Sequence, residues 1–174
     1  RERLIENIAR IYISYGVDGI NLDFENIYMN DRDLLTQFVR ELYPVFKEKG
    51  MTVTMDVTPI SVSENWSRCY DRRRLSETLD YIMLMAYDQH WASSPVAGSV
   101  AQYSWVEDSV RNVLEEVPNE KLILGVPFYT RLWTVKNTEE GDKVSSQVLS
   151  MDEAKKFIEG NNIELIWDDE SGQY

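Results

Sequence analysis

The chain has one cysteine, Cys69, and one histidine, His90. A lone cysteine excludes a disulfide within the chain. With no second Cys or nearby His to activate it, Cys69 reads as a packed or partly exposed thiol rather than a nucleophile. One His among scattered carboxylates does not make a transition-metal site. Basic residues are scarce: 18 Lys and Arg against 30 Asp and Glu leave a net charge of −12. Nucleic-acid binding needs clustered cations that displace counterions from phosphate, so this balance argues against it. The one dense basic run, Arg72-Arg73-Arg74, stands just before a short helical segment and reads as a solvated face. No apolar run approaches the roughly 20 residues needed to span a bilayer. A methionine start and a signal-peptide pattern are also lacking, so the chain reads as cut from a longer protein, and its compartment is not legible.

The 174 residues, 43% hydrophobic and 28% charged, suit one ordinary soluble domain. Residues 2–15 place Leu4, Ile5, Ile8, Ile11 and Tyr12 at helical spacing before Gly16. Residues 17–24 read as a short buried strand ending at acids. A helix is expected from Asn30, with Leu34, Leu35, Phe38, Val39, Leu42, Val45 and Phe46 on one stripe and Gly50 closing it. Strands are expected at 51–57, 81–87 and 121–129, and helices at 75–79 and 105–117. This alternation predicts an α/β sheet or barrel with parallel strands. Beyond Trp133 the rhythm changes to a polar loop at 137–143, a capping box from Ser150 to Glu153 opening a helix that stops at Gly160, and a further strand at 163–167. That tail reads as a small α+β insertion.

On the first strand, side-chain alternation puts Asn21, Asp23 and Glu25 on one face and Ile20, Leu22 and Phe24 on the other. In a barrel the polar set aims at the interior, at the C-terminal strand end where barrel enzymes build their sites. Two carboxylates about 7 Å apart along a strand repel. One of them therefore keeps its proton more tightly than in water and stays available as a donor. The plainer reading of the same D-x-D-x-E spacing is a solvated, idle acidic loop or a divalent-cation ligand set.

The run Asp18-Gly19-Ile20-Asn21-Leu22-Asp23-Phe24-Glu25 resembles the D-G-x-D-x-D-x-E signature of family-18 glycoside hydrolases, the chitinase family. Met85-Ala86-Tyr87-Asp88 is similar to the M-x-Y-D ending the sixth barrel strand. Gly125-Val126-Pro127-Phe128-Tyr129-Thr130-Arg131 is similar to the G-x-P-x-Y-G-R of the seventh, with Thr130 in place of Gly. Trp167-Asp168-Asp169, followed by Tyr174, resembles the end of the family's insertion. The resemblance implies a partial (β/α)8 barrel, about strands 4 to 7, over 1–133 and part of the α+β insertion over 134–174. It implies Glu25 as general acid and Asp23 as the residue orienting the substrate 2-acetamido group, whose oxygen attacks in place of an enzyme nucleophile. Tyr87 would hydrogen-bond that group. Asp88 would contact the sugar, Tyr129 and Arg131 would line the cleft, and Met85 would be part of its wall. Trp91 and Trp133 would stack on sugars or simply pin loops, while Trp105 belongs to a helix face. Asp88 as a loop cap and Arg131 as a structural ion-pair partner are the plainer alternatives. No metal or organic cofactor is implied.

Asn21 stands where most chitinases carry an Asp. Asp23 thereby loses a partner able to share a proton, so a different pH dependence is expected. Asn21, the segment from Tyr87 to Trp91 and the following Ser93-Ser94-Pro95-Val96-Ala97-Gly98 resemble the spore-associated, peptidoglycan-directed branch, which turns the expected substrate from chitin towards cell-wall N-acetylglucosamine bonds. That branch implies an extracellular, cell-wall or spore location. A half-barrel has two open edges, so self-association and little or no activity of this chain alone are expected. A silent sugar-binding protein or a structural wall protein of the same fold is the rival reading; sugar-binding relatives usually lose the terminal Glu, which is present here.

Overall fold

A computed structural model describes residues 1–139 and 141–174; Glu140, inside the loop expected at 137–143, lies outside the described residues. Contacts divide the chain into two compact units, one of Arg1–Met85 with Ser109–Leu124 and one of Ala86–Asp108 with Gly125–Tyr174.

In the first unit, α1 (Glu2–Tyr15) ends where Gly16 turns left-handed at φ 64°. That conformation costs a Cβ-free residue little. Strand β1 (Gly19–Leu22), helix α2 (Arg32–Lys47), strand β2 (Thr52–Val57), helix α3 (Arg72–Thr78), strand β3 (Tyr81–Met85) and strand β4 (Leu122–Gly125) follow; α4 (Tyr103–Val113), before the last strand, has its first six residues in the second unit. The four strands form one sheet in the order β1-β2-β3-β4. β1 pairs with β2 and β2 with β3 in parallel, as the alternation of elements predicts. Gly19 is required at the start of β1, because a Cβ there would collide with the Thr52 carbonyl of β2.

Register gives the sheet two unlike faces. Ile20 and Leu22, Val53, Met55 and Val57, and Ile82 and Leu84 are all buried, most of them completely. They pack with Phe38, Val39, Leu42 and Phe46 of α2 and with Leu75 and Leu79, which are equally covered. Each such side chain contributes about 1.5–3 kcal/mol by leaving water. The opposite face carries Asn21, Thr52, Thr54, Asp56, Tyr81 and Met83, none of them buried.

Polar clamps tie the layers. Asp80, just before β3, accepts from the Tyr43 hydroxyl at 3.0 Å, the Lys47 ammonium at 3.0 Å and the Val53 N–H at 2.8 Å. Lys121 donates to the carbonyls of Ser76 and Leu79 at the end of α3 at 2.6 and 2.8 Å. This satisfies acceptors that a helix end otherwise leaves open.

The basic run differs from expectation. It opens α3 rather than preceding it, and Arg72 is only 3% exposed. Its guanidinium donates to the Thr58 carbonyl at 2.7 Å and the Ser67 hydroxyl at 3.1 Å and lies 5.6 Å from the Tyr70 ring centre. Arg74 pairs with Asp33 and Asp71. Only Arg73 is an exposed cation of the expected kind. Helical periodicity placed Arg72 on the inward side, and carbonyl acceptors there make its burial tolerable.

In the second unit, β5 (Tyr129–Thr138) and β6 (Gly141–Ser150) form a two-stranded antiparallel hairpin, followed by α5 (Met151–Gly160). The strand expected at 121–129 is thus two: β4 stops at Gly125, and Tyr129 opens the hairpin. Pro127, which lacks an N–H donor, lies in the break. The loop expected at 137–143 instead supplies the ends of β5 and β6, because cross-strand pairing satisfies polar residues as well as apolar ones. No strand forms at 163–167; a single bridge, Asp168 with Gln173, closes the turn that follows. The expected capping box is present: Ser150 Oγ accepts from the Glu153 N–H, and the Glu153 carboxylate accepts from the Ser150 N–H at 2.8 Å. Among the described residues, no helix is long and apolar enough to cross a membrane.

Candidate active site

The strand expected at 17–24 is shorter in the first unit: β1 ends at Leu22, and Asp23, Phe24 and Glu25 follow it in irregular structure. Ile20 and Leu22 are buried, and Phe24 packs edge-on against Phe38 of α2 at 5.6 Å between ring centres. Asn21, Asp23 and Glu25 are exposed on the other side. Asn21 stands on the sheet face opposite the helices, and Asp23 and Glu25 continue just past the strand end. Asn26, immediately after Glu25, holds a positive φ of 53°. Asn tolerates this better than most residues, and it turns the chain sharply at the acid.

Asn21 is held by the neighbouring strand. Its carbonyl oxygen accepts from the Thr54 hydroxyl at 2.6 Å, and its amide nitrogen donates to Asp56 Oδ2 at 2.7 Å. Burial pushes the Asp56 carboxyl above the usual carboxylate range; the Asn21 donor works against this and the charge of Asp23 adds to it. Tyr70, 1% exposed, donates its hydroxyl to the Phe24 carbonyl at 2.6 Å and so fixes the backbone between Asp23 and Glu25. Burial raises its phenol pKa, and the charges of Glu25 and Asp23 contribute, so the hydroxyl stays a donor. Met85 is half-buried at the end of β3.

Sequence reading missed Thr54, Asp56 and Tyr70. The available signal was the polar alternation Thr52, Thr54, Asp56 along β2, which repeats that of Asn21 and Asp23.

In the second unit, Tyr87, Asp88, Tyr129 and Arg131 come together. The rings of Tyr87 and Tyr129 meet edge-on at 6.4 Å. Burial raises the phenol pKa of Tyr129, as does its hydrogen bond to Asp88. Arg131, its side chain 10% exposed, lies 3.5 Å from Asp88 and donates to the Ser146 hydroxyl at 3.3 Å. Asp88 carries a positive φ of 57°, the kind of backbone conformation that surroundings must enforce. The ion pair expected as the plainer reading of Arg131 is therefore present, and it includes a candidate sugar contact.

Trp133 donates its indole N–H to the Gly98 carbonyl at 2.9 Å, pinning that loop. The His90 ring packs where a Cβ on Gly98 would be. Trp91 is half-exposed and bonded to Ser93, outside this group. A cavity of about 650 Å³ is bordered by Tyr129, Arg131, Trp133, Gly98, Asp168 and Tyr174.

A parallel sheet backed by helices defines the class as an α/β fold. The match to the glycosyl hydrolases family 18 runs over residues 1–174, and the chain belongs to that family. Bacillus subtilis (strain 168) YdhD, named as a sporulation-specific glycosylase, is 34% identical over 137 residues, covering 78% of this chain and 32% of that protein. The cortical fragment-lytic enzyme of the same strain is 26% identical over 171 residues, covering 97% and 39%. The crystal structure of YdhD superposes with a TM-score of 0.87 at 28% identity over 97% of this chain and 55% of that one. The chain thus spans between about a third and a half of these relatives' length.

Proposed function

We propose that the whole protein is a retaining, substrate-assisted glycosidase acting on N-acetylglucosamine-containing polysaccharide, with bacterial peptidoglycan favoured over chitin. The observation that carries this reading is the row Asn21, Asp23, Glu25 at the C-terminal end of β1, on the sheet face not packed by helices. Glu25 is assigned as the acid that protonates the glycosidic oxygen. Asp23 is assigned to orient the acetamido group whose oxygen attacks the anomeric carbon, and Tyr87 to hydrogen-bond it. Asn21, Met85, Asp88, Trp91, Tyr129 and Arg131 are assigned to the sugar-binding surface, in a barrel part at 1–133 and an insertion part at 134–174. Resemblance to sporulation and cortex-lytic proteins supports peptidoglycan as substrate.

The test uses the protein expressed from its complete reading frame, with purified peptidoglycan and N-acetylglucosamine oligomers as substrates. Glu25→Gln is expected to lower turnover about 10²–10⁴-fold with binding retained. Equal turnover by the two forms would remove Glu25 from the reaction. Sugar binding without cleavage by the unaltered protein would make it a lectin-like member of the family.

A further inference from the structure

Asn21 is the position at which this chain departs from its family's signature, and β2 supplies the reason. The amide cannot turn freely, because Thr54 donates to its oxygen and thereby aims its nitrogen at Asp56. An aspartate at 21 would bring a second carboxylate to hydrogen-bonding distance of Asp56 with no proton between them. The β1–β2 register pairs Asn21 with Thr54 and Leu22 with Met55 and ends there; Asp23 follows directly, on the side where Asp56 follows Met55. Strands about 4.8 Å apart diverge little over one residue, and the charge of Asp23 acts on Asp56.

We propose that Asp56 is a positioning residue that forms, with Asp23, a carboxylate pair holding one proton across β1 and β2, with Asn21 as the fixed donor that orients it. The carboxylate that the signature carries at position 21 has moved one strand over. With Asp56 carrying the proton, Asp23 is left to accept the N–H of a substrate acetamido group. This role rests on the hydrolase reading above; the pairing itself does not.

The groups facing Asp56 are few. On β1 they are Asn21 and Asp23, with Glu25 beyond. On β2 they are Thr54 and Thr52. On β3 they are Tyr81, Met83 and Met85, of which Tyr81 alone titrates, and it lies in register with Thr54 rather than Asp56. Burial holds Asp56 above the usual carboxylate range, the Asn21 donor works against it, and the charge of Asp23 adds to it.

The experiment is a carbon-13 titration of the aspartate carboxyls in the protein from its complete reading frame, without substrate. Asp56 is expected to titrate above the ordinary carboxylate range and to move down towards it in Asp23→Asn. An unmoved Asp56 midpoint would overturn the pairing whatever the enzyme does. In turnover assays, Asp56→Asn is expected to lower kcat about ten- to a hundredfold with KM changed less than about twofold, and to displace the acid limb of the pH profile. The double variant Asn21→Asp with Asp56→Asn returns a carboxylate to Asp23's own strand and is expected to recover most of that loss. A wild-type pH profile in Asp56→Asn, or no recovery in the double variant, would overturn the positioning role. Failure of the hydrolase reading is recognised separately, by Glu25→Gln matching wild-type turnover.

Discussion

The two compact units hold their residues by different means. In the first, side chains from β2, β3 and α2 reach complete burial, the buried Arg72 donates to the Thr58 carbonyl and the Ser67 hydroxyl, and the half-buried Asp80 accepts from an N–H group, a hydroxyl and an ammonium. In the second, a ten-residue hairpin ladder and local caps carry the structure, while Phe128, Met151, Leu165, Ile166 and Trp167 remain more than half or about half exposed. One unit is stabilised chiefly by apolar burial and the other by backbone pairing, so the same kind of substitution should have unequal effects.

Core truncation should reveal the contrast most strongly. Leu84→Ala on β3 is expected to cost about 3–4 kcal/mol in urea unfolding, and Leu149→Ala on β6 about 1–2 kcal/mol, because the second site already borders solvent. Equal losses would break the distinction.

Arg72→Ala removes the buried donor of the Thr58 carbonyl and one of two donors to the Ser67 hydroxyl, which keeps the Ser61 N–H, and is expected to cost about 2–3 kcal/mol. A loss within about 0.5 kcal/mol of zero, as for an ordinary surface substitution, would return Arg72 to the solvated face.

Asp80 sharpens the comparison through pH. Burial acts to raise its pKa, but the Val53 N–H, Lys47 and Tyr43 outweigh it and hold the carboxyl below its ordinary 3.8. A carboxylate depressed by folding contributes stability that is complete above the unfolded value and lost as pH falls through the folded one. Asp80→Asn should therefore cost about 1.5–2 kcal/mol near pH 7, and the difference from wild type should shrink below pH 3.8. A difference that stays constant down to acid would contradict the clamp.

The smallest effect is expected at the α5 cap. Ser150→Ala should cost about 1 kcal/mol and be visible as faster amide exchange within α5 alone. Faster exchange in β2 as well would show that the two units do not respond independently.

Much of the first unit was legible because its signals are local. Strand alternation sorted Asn21, Asp23 and Glu25 from Ile20, Leu22 and Phe24, and the stripe on α2 named the residues that pack beneath them. Arg72 was misread because three consecutive arginines look like a surface, whereas a helix turns each to a different side. The hairpin was misread as a loop because Asn137, Asp142 and Lys143 have no apolar pattern, and antiparallel pairing does not require one. On the candidate site, Tyr87, Asp88, Tyr129 and Arg131 were recognisable by motif, but the hydrogen bond from Tyr129 to Asp88 and the ion pair to Arg131 were not, since they join residues some forty positions apart.

By itself the sequence determined the strand on which the acids lie, the face they share and the family to which the chain belongs, since these follow from a period of two and a short run of residues. The tertiary structure decided what accompanies them. Register between β1 and β2 is set by the packing of the opposite face and brings Thr54 and Asp56 to Asn21, while the loop before α3 brings Tyr70 to the backbone of Phe24. A sequence specifies which side of a strand a residue occupies; only the pairing of strands specifies what it meets there.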